Sequence, residues 1–196
     1  MREEIIKTSL QQFLKNGIRK MTIQNLVAPQ GISTKTVYKY FHNKEELLRE
    51  CLSVHYARLL DEAILTGDSY PNVVIALENS WKQAIDTDFG VNQAFYHDLN
   101  YYYPSLQDEI LKKYGKKISV TFIKLIELGI KEGYFRKNLN PPVVFEAMTV
   151  IYSSLTRTEQ FKRFRLTPAE LARHTILVYL RGICTENGLK EIKLSE

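Results

Sequence analysis

Residues 21–48 read MTIQNLVAPQGISTKTVYKYFHNKEELL, and this stretch decides the fold. Thr22 stands where a short helix can begin, because a threonine side chain accepts a hydrogen bond from the backbone of the first turn. Gly31 then interrupts the helical pattern, since glycine adopts conformations that other residues avoid. Ser33 is placed to cap the next helix, the third of the chain, which runs through Tyr40.

The helices on either side of that turn complete a three-helix unit. Upstream, apolar residues recur at helical spacing over residues 5–14, and Gly17 follows as a helix stop. Downstream, Asn43 and Glu46 have the spacing of a capping box that opens a longer helix. Residues 4–50 therefore hold three short helices, the second and third joined by a tight turn, which is typical of a helix-turn-helix.

Positive charge is concentrated in the same part of the chain. Residues 1–50 carry nine Lys/Arg and five Asp/Glu, whereas the remaining residues carry eighteen and seventeen. Residues 15–44 contain six basic residues and no acidic one. A basic segment at one end of a chain fits a polyanion partner, most simply DNA, with a solvated basic face as the alternative.

The third helix carries residue types that suit DNA recognition. Thr34, Lys35 and Lys39 are expected to read base edges, because lysine donates to guanine and a threonine methyl meets the thymine methyl. Val37 and Phe41 are expected to face the core. Core packing of the tyrosine rings and a purely solubilising role for the lysines are the alternatives. Hydroxyl and ammonium groups are expected to contact phosphates at Thr36, Tyr38, Tyr40 and Lys44.

This stretch resembles the DNA-binding signature of the TetR family of bacterial transcriptional regulators over residues 4–50. A weaker resemblance, to the turn between the family's seventh and eighth helices, covers residues 129–148. The elements that match in the first stretch are Thr22, Gly31-Ile32-Ser33, Tyr38-Lys39-Tyr40-Phe41 and Asn43-Lys44-Glu45-Glu46-Leu47.

The resemblance implies roles for these residues and an architecture for the chain. It implies an all-α fold, with a helix-turn-helix DNA-binding domain at residues 1–48 and a larger helical ligand-sensing and dimerisation domain at 49–196. It implies a homodimer on a near-palindromic double-stranded operator. The implied base readers are Thr34, Lys35 and Lys39, and the implied contacts to the DNA backbone are Thr22, Thr36, Tyr38, Tyr40 and Lys44.

Pro29 departs from the family pattern. The family continues its second helix where this chain has Val27-Ala28-Pro29-Gln30. Proline lacks an N–H donor, and its ring clashes with the carbonyl four residues back. We predict that the second helix ends by Ala28 and that the turn is somewhat reshaped, so the family pattern does not determine the angle of the recognition helix.

Helical spacing continues to the end of the larger half. We predict helices at about 44–66, 71–87, 90–102, 105–132, 142–159 and 167–183. The resemblance implies that the last two form the homodimer interface, and their apolar faces support it; ordinary core packing in a monomer is the alternative. The face assigned to the first is Phe145, Met148, Thr149, Tyr152 and Leu155, and that of the second is Leu171, Thr175, Val178 and Tyr179.

Aromatic and apolar residues in the larger half are candidates for a small-molecule site. Aromatic walls with few polar groups suit a mostly apolar ligand. The alternative is that they are core residues of a large helical domain. The candidates are Trp81, Phe95, Tyr96, Leu99, Tyr102, Tyr103, Phe122, Ile126 and Tyr152.

Several classes of protein lack support in the sequence. No apolar run is long enough to span a bilayer, and the N-terminus lacks an apolar signal core, so we expect a cytoplasmic protein. Cys51 and Cys184 are far apart and predict two free thiols, without a metal site. No phosphate loop, metalloprotease helix or nucleophile signature is present, so we expect no enzyme and no cofactor. A regulator without a ligand, or an activator, remains the alternative to a ligand-released repressor.

Overall fold

The computed structural model describes residues 1–158 and 160–192, and their side chains except those of residues 62–69. Regular structure in these residues is helical, apart from one isolated antiparallel bridge between Phe135 and Cys184. The all-α fold predicted from the sequence is therefore confirmed. No described helix is long and apolar enough to cross a membrane.

Close packing divides the chain into two compact units. Unit 1 comprises Met1–Arg58 and Gly90–Gly115, and unit 2 comprises Leu59–Phe89 and Lys116–Glu196. These units do not coincide with the functional boundary drawn between residues 48 and 49, which stays a prediction. The segment Gly90–Gly115 belongs to unit 1 because Asn92 and Asp98 hold it to the first helix and the loop that follows by hydrogen bonds.

Unit 1 is built around the N-terminal helices. Its core includes Ile5, Phe13, Leu26, Val37 and Phe41, whose side chains are each less than 2% exposed. Its helices are α1 (Arg2–Asn16), α2 (Ile23–Val27), α3 (Thr34–Val37), the first part of α4 (Lys44–Ser69), α6 (Gln93–Tyr102) and α7 (Pro104–Ile110).

Unit 2 holds the larger hydrophobic core. The helix α5 packs against α8, α9 and α10 around buried side chains such as Leu77, Ile126 and Leu180. Besides the rest of α4, its helices are α5 (Val73–Phe89), α8 (Lys116–Lys131), α9 (Pro141–Thr156), α10 (Pro168–His174), α11 (Ile176–Ile183) and α12 (Glu186–Glu191).

Two of the predicted helices are interrupted. The helix predicted at 105–132 is broken by a π-helical turn over Leu111–Gly115, which the helical spacing of the apolar residues did not reveal. The helix predicted at 167–183 is broken at Thr175, where the backbone leaves the helical region (φ −132°, ψ −91°). The Thr175 hydroxyl donates to the Leu171 carbonyl at 2.6 Å, and such back-bonding bends helices.

Both cysteines are buried free thiols, as predicted. Burial raises the pKa of the Cys184 thiol to about 11 and raises that of Cys51 further. Among the described residues, no group of three or more His, Cys, Asp or Glu is arranged to hold a metal ion.

Candidate nucleic-acid interface

The helix-turn-helix is capped as the sequence predicts. The Thr22 hydroxyl accepts a hydrogen bond from the backbone N–H of Asn25 at 3.2 Å and so caps α2. The Ser33 hydroxyl accepts one from the N–H of Thr36 at 3.1 Å and caps α3. Both caps satisfy donors that have no partner within the helix, and they fix where each helix begins.

The turn between α2 and α3 is reshaped around Pro29. Helix α2 ends at Val27, and residues Ala28–Gln30 form a single 3₁₀ turn. Gly31 ends that turn in the left-handed region (φ 66°, ψ 16°). The prediction that α2 ends by Ala28 is confirmed. Proline causes it, because it cannot donate the next helical hydrogen bond.

The recognition segment is shorter as a helix than predicted. Helix α3 covers Thr34–Val37, and hydrogen-bonded turns continue from Tyr38 to Phe41 instead of a helix through Tyr40. The N–H groups of Tyr40 and Phe41 both donate to the Val37 carbonyl, so the segment still turns as a compact unit. Buried Val37 and Phe41 hold it to the core.

The solvent-facing side of this segment carries cations and phenols. Lys35 and Lys39 are exposed, and they make no ion pair with any residue in the described ranges. Tyr38 and Tyr40 are 56% and 40% exposed, so their rings are not core residues. Thr22 is exposed, and Thr34 and Thr36 are partly buried. The face is thus accessible to a large anionic partner.

Lys44, at the start of α4, is engaged in a different way from the exposed lysines. Its Nζ donates to the Ile18 carbonyl at 2.5 Å. Partial burial lowers the pKa of Lys44, and the nearby Asp98 carboxylate opposes that shift. An ammonium group has three donors, so this contact leaves others for a phosphate.

Asp98 anchors the loop that leads into the helix-turn-helix, a role that the sequence did not reveal. Its Oδ2 accepts hydrogen bonds from the backbone N–H groups of Ile18 at 2.9 Å and Arg19 at 2.7 Å. Asp98 is 7% exposed and lies on α6. The loop is preceded by Gly17, whose φ of 82° favours glycine and where an added Cβ would lie a tight 3.0 Å from the Ala94 Cβ.

The same loop is held at a second point by a residue that the sequence assigned to a ligand site. Arg19 Nη1 donates to the Tyr102 hydroxyl at 2.7 Å, and its guanidinium lies 5.0 Å from the centre of that ring. The α6 helix therefore positions Arg19 in the basic segment. No local pattern predicts this pairing, because the two residues are 83 positions apart in the sequence.

The nine ligand candidates are divided between the two units. Five of them belong to unit 1, and of these Phe95, Tyr96 and Leu99 are buried core residues. The other four belong to unit 2. The five in unit 1 are Phe95, Tyr96, Leu99, Tyr102 and Tyr103, and the four in unit 2 are Trp81, Phe122, Ile126 and Tyr152.

The ligand candidates of unit 2 include the rings of an aromatic cluster. The Trp81 ring lies 5.1 Å from Phe122, 6.4 Å from Phe145 and 5.8 Å from Tyr152, measured between ring centres. Trp81 is 5% exposed and Phe122 7%. Ile126 is fully buried in the same core.

Much of the apolar face that the sequence assigned to a dimer instead packs inside unit 2. Phe145, Met148, Tyr152 and Leu155 of α9 belong to its core or pack against it. A helix in a multi-helix core must bury more than one stripe, so periodicity alone could not assign the faces. The apolar residues that stay exposed on α9 and α11 are Val143, Val150 and Val178.

Comparison with known proteins agrees with this architecture. Residues 5–51 match the model of the bacterial regulatory proteins of the tetR family. The chain is 24% identical to the uncharacterized HTH-type transcriptional regulator YdgC of Bacillus subtilis, over 93% of this chain and 92% of that protein. It is 20% identical to the HTH-type transcriptional repressor KstR2 of Rhodococcus jostii, over 74% and 72% of the two chains.

Solved structures share the fold over nearly the whole length. The ketosteroid transcriptional regulator KstR2 of Mycobacterium tuberculosis aligns with a TM-score of 0.70 and 22% identity, over 94% of this chain and 95% of that one. FadR from Bacillus subtilis, in complex with stearoyl-CoA, aligns with a TM-score of 0.74 and 16% identity, over 93% and 100%. The capped helix-turn-helix lies within residues 5–51, which match the TetR family of bacterial regulatory proteins, and the chain as a whole shares the fold of these two solved regulators.

Proposed function

We propose that this protein is a ligand-responsive transcriptional repressor. It binds a near-palindromic operator as a homodimer, reads bases with Thr34, Lys35 and Lys39, and is released by a small, mostly apolar or aromatic molecule. The observation that carries the DNA-binding part is the exposed face of α3 and its following turn, on a segment without a single acidic residue. The proposed phosphate contacts are Thr22, Thr36, Tyr38, Tyr40 and Lys44.

A homodimer follows from the size of the recognition element. One such helix reads only a few base pairs, and a two-fold axis places two of them about 34–36 Å apart, or a multiple of that distance. Val143 and Val150 are 62% and 57% exposed and lie two helical turns apart on one face of α9. Val178 of α11 is 57% exposed. These residues support a self-complementary interface through α9, α10 and α11.

The effector is proposed from the aromatic cluster of unit 2 and from the relatives. One relative is named a ketosteroid regulator, and another was solved with stearoyl-CoA, so both names point to molecules with a large apolar part. The cluster around Trp81 offers the aromatic walls that such a molecule needs. We propose that the ligand acts through α4, which contributes residues to both units, and changes the spacing of the two recognition helices.

A regulator without an effector is the second candidate. The observation that favours it is the direct contact of the Trp81, Phe122 and Phe145 rings, which fill the centre of their cluster. A thermal-shift screen of small molecules, with hits re-tested for release of DNA, separates the two candidates. A compound that raises the melting temperature and releases DNA supports the effector-controlled repressor, because it binds the folded protein preferentially. Failure of every compound supports the second candidate.

The DNA-binding part is tested with a fluorescent mixed-sequence duplex and anisotropy at several salt concentrations. Affinity should fall steeply with salt, because counterions are released from the phosphates. The double variant Lys35→Ala/Lys39→Ala should bind more weakly than the wild type. The control Lys124→Ala/Lys131→Ala removes the same charge from exposed positions on α8 and should bind like the wild type. Equal weakening by both variants would show a general charge effect and contradict the assignment of α3.

A further inference from the structure

We infer that Trp81 and Thr149 form the polar anchor of the effector site, and that the effector is a neutral, planar and largely apolar molecule with a carbonyl group. The inference rests on the proposed effector response and gives it a chemical class. It follows from the position of the two side chains, their hydrogen bonding and the charge around them.

Thr149 lies on the face of α9 that meets Trp81. Phe145, Thr149 and Tyr152 are four and three residues apart, so they share one face of the helix. The rings on either side of Thr149 are 6.4 Å and 5.8 Å from the Trp81 ring. Helical spacing therefore places Thr149 between the two α9 rings of the cluster, and its hydroxyl oxygen is buried.

The two polar atoms at this place are buried and unpaired. Trp81 Nε1 and Thr149 Oγ1 have no hydrogen-bond partner among the residues that the structure describes. The contrast on the same helix is Thr156, whose hydroxyl donates to the Tyr152 carbonyl at 2.9 Å. Buried donors without a partner are destabilising and uncommon in folded proteins, so a pair of them in one cluster points to a missing group.

The missing group must accept hydrogen bonds and carry no net charge. An indole N–H is a donor only, so its partner must be an acceptor. The Tyr152 hydroxyl donates to the Asp88 carboxylate, and the Arg157 guanidinium lies 5.8 Å from the Tyr152 ring. The acidic and the basic side chain beside Tyr152 carry opposite charges, which favours a neutral group over an ion. A carbonyl oxygen has two lone pairs, enough for the indole N–H and the Thr149 hydroxyl.

The aromatic rings of the cluster determine what the rest of the effector must be. Trp81 and Phe122 are tilted by 46° with their centres 5.1 Å apart, so a ligand enters by moving one ring away from the other. A planar apolar ligand stacks on the indole face and so replaces the contact between the Trp81 and Phe122 rings that is lost. Binding must therefore change the surroundings of Trp81 directly.

The test uses the indole N–H signal of the protein, since Trp81 is its sole tryptophan. The full chain, labelled with nitrogen-15, is titrated with 9-fluorenone and with fluorene, which has the same rings but lacks the carbonyl. Fluorenone should move the indole N–H signal downfield and bind roughly two- to tenfold tighter than fluorene, as one net hydrogen bond provides. In Thr149→Val this preference should be lost. Thr121→Val, the control, alters a hydroxyl at the surface of α8 and should keep the preference.

The inference is overturned by an indole signal that fluorenone leaves in place, by an equal response to both compounds, or by a preference that survives in Thr149→Val. A cross-relaxation peak between the indole proton and water that persists with fluorenone would identify a water as the partner and would also overturn it. No DNA is present in this titration, so its failure is distinct from a failure to bind or release an operator.

Discussion

The carboxylate of Asp98 accepts a hydrogen bond of 2.9 Å from the backbone N–H of Ile18, eighty residues earlier in the chain. The same oxygen accepts a second one from Arg19, and the Ile18 carbonyl accepts from Lys44. A single buried side chain of α6 thus holds the loop that leads into the DNA-binding helices.

Asp98→Ala should lower the free energy of unfolding by about 2–3 kcal/mol, because it leaves two largely buried N–H groups without an acceptor. Urea unfolding followed by circular dichroism measures the change. Asp98→Asn is the matched control. It keeps an acceptor oxygen in a side chain of the same size and should lower the free energy of unfolding clearly less. An unfolding midpoint for Asp98→Ala equal to that of the wild type would show that water replaces the carboxylate without loss.

Lys44→Ala should weaken binding to every DNA sequence and reduce the slope of log affinity against log salt by about 0.9, the value for one phosphate contact. The physical reason is that a phosphate contact carries charge but no sequence information. Anisotropy titrations at several salt concentrations measure both quantities. If stability falls while the salt slope is unchanged, Lys44 only braces the Ile18 carbonyl, and its phosphate role is wrong.

Lys39→Ala should reduce discrimination between a selected operator and random DNA, by about 1–3 kcal/mol for a lost bidentate base contact. Competition titrations of the two duplexes at one salt concentration give the ratio of the two affinities directly. Lys7→Ala, an exposed lysine of α1, is the control and should leave the ratio in place. A ratio that is the same in Lys39→Ala and the wild type would mean that this side chain does not read bases.

Gly31→Ala should destabilise the protein by about 1 kcal/mol, because alanine is strained at φ 66°. The effect is purely conformational, since no atom lies within 4 Å of the added Cβ. Gly90→Ala is a matched control in equally open space without a positive φ, and it should be close to neutral. Equal thermal stability of the two variants would argue against the left-handed turn.

The helix-turn-helix could be predicted because its signals are local. Thr22 and Ser33 bond to backbone groups three residues away, and Pro29 and Gly31 act on their own turn. Such effects depend on residues that are close in the sequence, so the sequence alone contains what is needed to predict them.

The anchoring of the basic segment could not be predicted, because its partners are distant in sequence. Nothing near Asp98 in the sequence marks it as an anchor, and Tyr102 is a ligand candidate by residue type alone, yet packing places both against the loop that contains Arg19. Which face of α9 packs in the core could not be predicted for a related reason. A helix with apolar residues on several sides does not reveal which of them a partner covers and which the core covers.

The central claim is that two copies of this chain read DNA with α3. Selection from a library of randomised double-stranded DNA, using the full-length protein, tests it most directly. We predict enrichment of a near-palindromic sequence whose half-sites lie about one helical turn or a small multiple apart, and its loss with Lys35→Ala/Lys39→Ala. Absence of any enriched sequence, or enrichment of a single half-site without symmetry, would contradict the account.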